Sequence, residues 1–218
     1  QITGIDLPGE VRGVLPSTTW KRDTYKRPEQ KRWYAGETIS LGIGQGYNNF
    51  TILQLTHALA TILDNGNSRV PHVGRSLIDP VTGERRPIEQ PPPVNLGYKQ
   101  SNIEAVKRGM VSVVTGGTGR GSFGTARYTA GGKTGTAQAI SIGQKEKYNA
   151  ARLAERQRDH ALYIAFAPAD DPKIAVGVIV ENAGFGAGSA APIARRIMDY
   201  WLLGDYPSEA DMAAMQRG

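Results

Sequence analysis

The residues whose types and spacing could do chemistry lie in residues 131–138, which read GGKTGTAQ. A glycine before Lys133 and Thr134 is typical of loops that bind phosphate through backbone amides. That motif needs a further glycine at position 127, where the chain has Arg127. The residues that follow also favour an extended strand over the start of a helix. The stretch therefore does not predict a phosphate-binding loop.

Two other glycine patterns could suggest a nucleotide site. Residues 119–124 have the formal spacing G-x-G-x-x-G, but a predicted helix precedes them where a dinucleotide-binding fold would place a strand. Residues 42–46 read GIGQG and are interpreted as a tight loop that leads into a helix. Neither pattern predicts a nucleotide-binding protein.

A Lys-Thr-Gly run on an edge strand could bind an extended peptide that ends in a carboxylate. The strand would pair with the peptide, while the ammonium of Lys133 and the hydroxyl of Thr134 would hold the negative charge. Gly135 would let the ligand approach the backbone closely. The alternatives are a solvated edge lysine for Lys133 and a bulge glycine for Gly135. Three residues alone do not decide between these interpretations.

Hydrophobic spacing predicts three helices that could support this strand. One spans residues 51–65 with Thr51 as its cap, and Gly66 ends it. A second begins at a capping box formed by Ser101 and Glu104. The last spans residues 190–203, and its apolar side chains on one side are Ile193, Ile197 and Trp201.

A sheet is predicted from β-branched runs and turn residues. Residues 130–140 form a strand that carries the Lys-Thr-Gly run, and residues 162–167 and 174–180 form an antiparallel hairpin. Residues 149–158 are expected to be a short polar helix, and residues 1–50 to be loops with short extended pieces. Separate helices and an antiparallel sheet indicate an α+β fold.

Composition limits the classes of function. The chain has 218 residues, of which 39% are apolar and 21% charged, as in an ordinary globular protein. The formal charge of +6 favours anionic partners weakly. The basic cluster between Lys21 and Arg32 is interrupted by Asp23 and Glu29, which favours a solvated loop over a nucleic-acid surface.

The sequence predicts neither a metal site nor a segment that spans a membrane. The chain has no cysteine, which excludes disulfides and thiolate metal sites. Its histidines lie far apart, so no metal site is predicted; they are His57, His72 and His160. No apolar run approaches the length of about 20 residues that crosses a bilayer. Because the chain begins with Gln1, it is expected to be a piece of a longer protein.

The sequence resembles the penicillin-binding proteins, the serine transpeptidases that cross-link peptidoglycan, whose signatures are S-x-x-K, S-x-N and K-T-G. Within that family it is most similar to the members of the cell-elongation machinery. The blocks that carry the resemblance occur in the family's order and are residues 3–10, 42–46, 131–138, 148–150, 154–160 and 165–168.

The resemblance implies the serine β-lactamase and DD-transpeptidase-like fold and assigns roles to the Lys-Thr-Gly strand. Lys133 would join the catalytic proton and hydrogen-bond network. Thr134, Gly135 and Thr136 would bind the terminal carboxylate side of a D-Ala-D-Ala stem peptide or of a penicillin. The backbone N–H of Thr136 would form half of the oxyanion hole, and such a donor contributes about 3 to 4 kcal/mol in serine acyl transfer.

A second glycine-rich loop is a further groove candidate by the same resemblance. It consists of Gly184, Phe185 and Gly186, just before the last predicted helix. In the family, a loop at this position lies on the active-site side.

The chain departs from the family pattern at the nucleophile. No serine is followed by lysine three residues later, and none begins S-x-N. The nearest substitute for the second motif is Tyr47-Asn48-Asn49, which belongs instead to the helix-entry block. Residues 1–218 are therefore expected to be the C-terminal portion of a transpeptidase domain without its upstream S-x-x-K and S-x-N segments, and to be inactive alone.

The longer protein that would contain this chain is expected to be a serine-type D-Ala-D-Ala transpeptidase or carboxypeptidase. It is expected to act at the periplasmic face of the bacterial inner membrane, with its membrane anchor outside these residues. No cofactor, metal or nucleic acid is required. Expected partners are stem peptides, β-lactams and membrane proteins of the elongation machinery. The alternative is a non-catalytic module that binds peptidoglycan or a morphogenesis partner through the same groove.

Overall fold

The computed structural model describes residues 2–137, 158–209 and 211–212. Its helices are α1 Thr18–Thr24, α2 Pro28–Lys31, α3 Ala35–Gly42, α4 Ile52–Leu63, α5 Gln100–Thr115, α6 Arg120–Phe123 and α7 Ala190–Leu203. Its strands are β1 Asn67–Ser68, β2 Ser76–Ile78, β3 Arg85–Pro87, β4 Val94–Asn95, β5 Gly131–Ala137, β6 His160–Ala167 and β7 Ile174–Val180. Of these helices, none combines the length and the apolar character that crossing a bilayer requires.

The main sheet has three antiparallel strands in the order β5, β6, β7. Gly135 lies opposite Leu162, and Ile164 lies opposite Gly177. Strands β1 and β4, and strands β2 and β3, form two small separate sheets. The predicted hairpin and the α+β class are confirmed. The extended segment that carries Lys-Thr-Gly is β5, and its predicted residues 138–140 lie outside the described residues.

Helices cover both faces of the main sheet. Because side chains alternate along a strand, neighbours on β6 enter different cores. Tyr163 packs with Met198 of α7 on one face, whereas Phe166 packs with Leu59 of α4 and Met110 of α5 on the other. The sheet is therefore the middle layer, and no described strand pairs with the outer edge of β5.

Helix α4 begins after its predicted cap, Thr51, and ends at Leu63, two residues before the predicted end. The side chain of Thr51 accepts a hydrogen bond from the backbone of Gln54, whose side chain accepts one from Thr51 in return. Gly66 has φ of +86°, a conformation that favours glycine after a helix. At the middle of α4, Gly177 of β7 allows close packing, since a Cβ there would contact the Thr56 hydroxyl.

The capping box predicted for α5 is wrong. The helix begins at Gln100, and its N-cap is Lys99 without a side-chain cap. Ser101 therefore lies inside the first turn, where it cannot cap the helix. The carboxylate of Glu104 instead accepts a hydrogen bond from Gln100 Nε2 at 3.0 Å and lies 3.5 Å from Lys107 Nζ.

The prediction of loops over residues 1–50 is also wrong, because this region holds α1, α2 and α3. Local caps start these helices. Ser17 Oγ accepts a hydrogen bond from Trp20 N at 3.0 Å, Pro28 occupies the first turn of α2, and Glu37 accepts one from Tyr34 N at 2.9 Å. The helices are too short to show the apolar periodicity that predicts longer ones.

Lys21 corrects the interpretation of the basic cluster as a solvated loop. Only 2% of this residue is exposed. Its Nζ donates to the Arg32 carbonyl at 2.8 Å and forms an ion pair with Glu37. The rings of Tyr34 and Tyr47 lie 5.1 and 5.5 Å from the same ammonium. Lys21 is therefore a buried residue of the basic cluster that links α1 to α3.

Helix α7 matches its predicted range. Of the apolar side chains that the sequence places on one side, Ile193 packs against the core and the other two are exposed. Ala194 and Met198 are fully buried, whereas Ile197 and Trp201 are 42% and 65% exposed. Small alanine side chains set the packing face because they let the helix approach the sheet closely. The helix ends at Gly204, whose φ is +73°.

Candidate functional site

Strand β5 presents the Lys-Thr-Gly run at the edge of the main sheet. It pairs with β6 on one side, and no described strand pairs with its other side. Lys133, Thr134 and Thr136 lie opposite Ile164, Tyr163 and Ala161 of β6. This arrangement leaves a strand edge on which an extended peptide could add.

Lys133 is exposed, and its Nζ donates to the Thr134 carbonyl at 2.7 Å. None of the ion pairs within the described residues includes Lys133. Its ammonium is therefore available to a ligand carboxylate or to a reacting hydroxyl. The structure brings it beside Thr134, as the sequence predicts for contiguous residues on one strand.

Two glycines before Lys133 allow the strand to lie directly on large aromatic rings. A Cβ on Gly131 would collide with the ring of Phe166, and a Cβ on Gly132 would collide with the hydroxyl of Tyr163. Tyr163 is completely buried, and its hydroxyl has no hydrogen-bond partner among the described residues. Burial raises the pKa of Tyr163 to about 12, so the phenol is neutral at physiological pH.

Thr118 is a site residue that sequence reasoning missed. It follows α5, and its Oγ1 lies 3.3 Å from Oγ1 of Thr134. Nothing in the linear spacing links Thr118 to a strand that begins at Gly131. The one available signal was a threonine between two glycines.

The predicted groove loop lies against the middle of the Lys-Thr-Gly strand. A Cβ on Gly186 would lie 2.7 Å from the Gly135 carbonyl oxygen. Gly184 has φ of +75°, and its N–H donates to the Asp159 carbonyl at 2.8 Å. Phe185, between the two glycines, is 69% exposed. The structure therefore brings the loop and the strand together and presents one aromatic ring to solvent.

The Y-x-N substitute has a structural role. Tyr47 donates to the carboxylate of Glu37 at 3.1 Å, and burial together with this bond raises the pKa of Tyr47 to about 12. Asn48 Nδ2 donates to the Gln45 carbonyl at 3.1 Å. Asn49 forms an isolated β-bridge with Val14. These contacts explain the motif without catalysis.

The histidines lie on separate elements and are each engaged locally. His57 Nε2 lies 2.8 Å from the Arg69 carbonyl, and His72 Nδ1 lies 3.0 Å from the Gly74 carbonyl. His160 Nδ1 accepts a hydrogen bond from Asn182 N at 3.0 Å. In the part of the chain that the structure describes, no cluster of three or more His, Cys, Asp or Glu residues could hold a metal ion.

Comparison with known proteins decides the family. Residues 1–199 match the penicillin binding protein transpeptidase domain. The chain belongs to the penicillin-binding protein transpeptidase family. The resemblance drawn from the sequence is confirmed, and so is the DD-transpeptidase-like fold. The polar helix predicted over residues 149–158 lies outside the described residues, except for Arg158.

A curated relative points to the same branch of this family. The chain is 44% identical over 205 residues to the peptidoglycan D,D-transpeptidase MrdA of Haemophilus influenzae. The match covers 92% of the chain and 30% of that relative. The chain therefore spans less than a third of the length of a protein whose name states a D,D-transpeptidase activity.

Two solved structures share the fold. Pseudomonas aeruginosa PBP2 in complex with WCK 5153 superposes with a TM-score of 0.67 and 38% identity, over 94% of this chain and 41% of that one. Helicobacter pylori PBP2 in complex with MreC superposes with a TM-score of 0.70 and 25% identity, over 94% of this chain and 34% of that one.

Proposed function

We propose that this chain forms the substrate-binding edge of a peptidoglycan D,D-transpeptidase of the penicillin-binding protein 2 type, which cross-links stem peptides during cell elongation. The observation that carries the proposal is the Lys-Thr-Gly run on the open edge of β5, in a chain that belongs to the transpeptidase family. The whole protein would perform the reaction, since the chain spans 30% of its curated relative.

The strand edge supplies groups of the right chemistry for a peptide that ends in a carboxylate. The hydroxyls of Thr134 and Thr136 would donate to the carboxylate, and the ammonium of Lys133 would add a charge-assisted contact. The backbone N–H of Thr136 would donate to the oxyanion that develops on the attacked carbonyl. Gly135 leaves room beside these donors, and Gly186 borders the strand at this point.

The reaction needs a nucleophile that these residues do not supply, since no S-x-x-K or S-x-N occurs in the sequence. A serine from outside residues 1–218 would attack the carbonyl of the penultimate D-Ala. The terminal D-Ala would leave with a proton, and the acyl-serine would form. An amine of a neighbouring stem peptide would then attack the ester, and the serine would recover its proton.

Partners and location follow from this function. The proposed substrates are D-Ala-D-Ala stem peptides, and β-lactams would acylate the same serine. The structure named for H. pylori PBP2 and MreC supports membrane proteins of the elongation machinery as partners. Because peptidoglycan lies outside the inner membrane, the chain would act at the periplasmic face of that membrane.

The test uses the full-length protein that contains this chain, incubated with benzylpenicillin and measured by intact mass. We expect a gain of one drug mass. Substitution Lys133→Ala should slow acylation by at least about 100-fold, because proton transfer by a positioned group contributes this much or more. Lys173→Ala is the matched control, since Lys173 is an exposed lysine paired with Asp171 at 2.6 Å, and it should react like the wild type.

A folded full-length protein that gains no mass would contradict the transpeptidase proposal. Sedimentation with purified peptidoglycan would then test the alternative, a non-catalytic binding module. The specific observation behind this alternative is the missing nucleophile within the 218 residues.

A further inference from the structure

The two threonine hydroxyls at the site come from different elements. Thr134 belongs to β5, whereas Thr118 belongs to the turn that follows α5, and their Oγ1 atoms lie 3.3 Å apart. Thr118 is exposed and Thr134 is partly buried. The pair therefore sits at the open edge of the sheet, within reach of the ligand that Thr134 would bind.

The turn that carries Thr118 is fixed to the end of α5. The N–H of Gly116 donates to the Ser112 carbonyl at 3.1 Å, and the N–H of Gly119 donates to the Val113 carbonyl at 2.9 Å. Gly117 packs so closely on this helix that a Cβ would lie 2.9 Å from Val113 Cα. The position of Thr118 is thus set by α5.

The tip of Tyr163 joins this turn to the strand. A Cβ on Gly119 would lie 2.6 Å from the Tyr163 hydroxyl, and a Cβ on Gly132 would collide with the same atom. The backbones of both glycines therefore lie close to the same phenol hydroxyl. This contact fixes the distance between the turn and β5, and so between the two hydroxyls.

We propose that Thr118 is a positioning residue that orients the hydroxyl of Thr134 toward the carboxylate of the ligand. A carboxylate only accepts hydrogen bonds, so Thr134 must donate to it. When Thr118 donates to Thr134, the oxygen of Thr134 is engaged as an acceptor and its proton is free for the ligand. Thr118 thereby favours peptides and β-lactams with a free carboxylate, an inference that rests on the proposed function.

The experiment measures acylation of the full-length protein by benzylpenicillin and by its methyl ester, which lacks the negative charge. We expect Thr118→Val to lower the second-order rate constant for the acid by about three- to tenfold, the range for one hydrogen bond. The loss should appear in the half-saturating concentration. The rate constant for the ester should change by less than about twofold. The Thr118→Ser variant should react with the acid at the wild-type rate.

Thr115→Val is the matched control, because Thr115 lies just before the same turn and its hydroxyl donates to the Val111 carbonyl at 3.3 Å. It should react with both drugs like the wild type. If Thr118→Val lowered the acylation rate constants for the acid and the ester equally, the inference would be overturned. It would also be overturned if neither rate constant fell. Reaction of the wild type with penicillin tests the proposed function separately, so the two failures are distinguishable.

Discussion

At the scale of single residues, the buried Tyr163 and the partly buried Tyr128 differ in what their hydroxyls contact. Tyr128 donates to Asp199 at 2.9 Å, whereas the hydroxyl of Tyr163 has no partner among the described residues. Burial is the main cause that raises the pKa of each phenol, and Asp199 adds to the increase for Tyr128. An unsatisfied buried hydroxyl lowers stability, and one bonded to a carboxylate raises it.

Substitution Tyr163→Phe should therefore leave the free energy of unfolding unchanged or raise it by up to about 1 kcal/mol. Tyr128→Phe should lower it by about 1.5 to 3 kcal/mol, the range for a hydrogen bond to a charged group. Urea denaturation of both variants compares them directly. A loss for Tyr163→Phe as large as for Tyr128→Phe would show that the Tyr163 hydroxyl is bonded in solution.

The site residues show which chemistry a sequence can reveal. Lys133, Thr134 and Thr136 lie close together on one strand, so the sequence places them side by side, and the family resemblance supplies their expected role in peptide binding. Thr118 lies far from them in sequence and meets Thr134 only because a turn after α5 packs on Tyr163. Such a contact depends on tertiary packing, which linear spacing does not encode.

At the scale of elements, long amphipathic segments were predictable and short ones were not. Helices α4 and α7 and the β6–β7 hairpin each have enough apolar residues to define a period. Helices α1 to α3 depend instead on local caps and on the burial of Lys21 between them. A buried lysine looks like any surface lysine in the sequence, so this cluster could not be predicted from charge alone.

The ion pair between Lys21 and Glu37 predicts a pH dependence of stability. The hydrogen bond from Lys21 is the main cause that lowers the pKa of Glu37 below its ordinary value of 4.5. A carboxyl with a lowered pKa stabilises the folded state fully above pH 4.5, and the contribution disappears as the pH falls through the lowered pKa. At neutral pH, Glu37→Gln should cost about 1.5 to 3 kcal/mol.

The measurement is urea denaturation of the wild type and Glu37→Gln from pH 7 downward. The difference in unfolding free energy should shrink below pH 4.5. Glu84→Gln is the control, because Glu84 pairs with Arg86 at 2.9 Å on the surface, and exposed pairs contribute about 1 kcal/mol or less. A difference for Glu37→Gln that stays constant with pH would contradict the assignment of this ion pair.

At the scale of the whole molecule, the chain combines the proposed substrate-binding strand with no serine nucleophile of the family type. Helices pack on both faces of the main sheet, and among the described residues no strand pairs with the outer edge of β5. In the proposed function, the binding groups and the reacting serine would thus be carried by different parts of the primary structure. Acyl transfer requires a serine and its base within hydrogen-bond reach of each other.

The 218-residue chain by itself should therefore gain no drug mass from benzylpenicillin, even when circular dichroism shows that it is folded. The full-length protein, treated in parallel, should gain one. Peptide mapping of any adduct identifies the acylated residue. A penicillin ester on a serine within residues 1–218 would contradict this prediction and would assign a new nucleophile.

The outer edge of β5, with which no strand of the described part of the chain pairs, also affects how the molecule behaves at high concentration. Unpaired N–H and C=O groups on an edge strand are a template for pairing with a second chain, and lysines on such edges oppose aggregation through charge repulsion. Lys133 is exposed on that strand. The ammonium that is proposed to bind a ligand carboxylate would therefore also oppose self-association of the chain through charge repulsion.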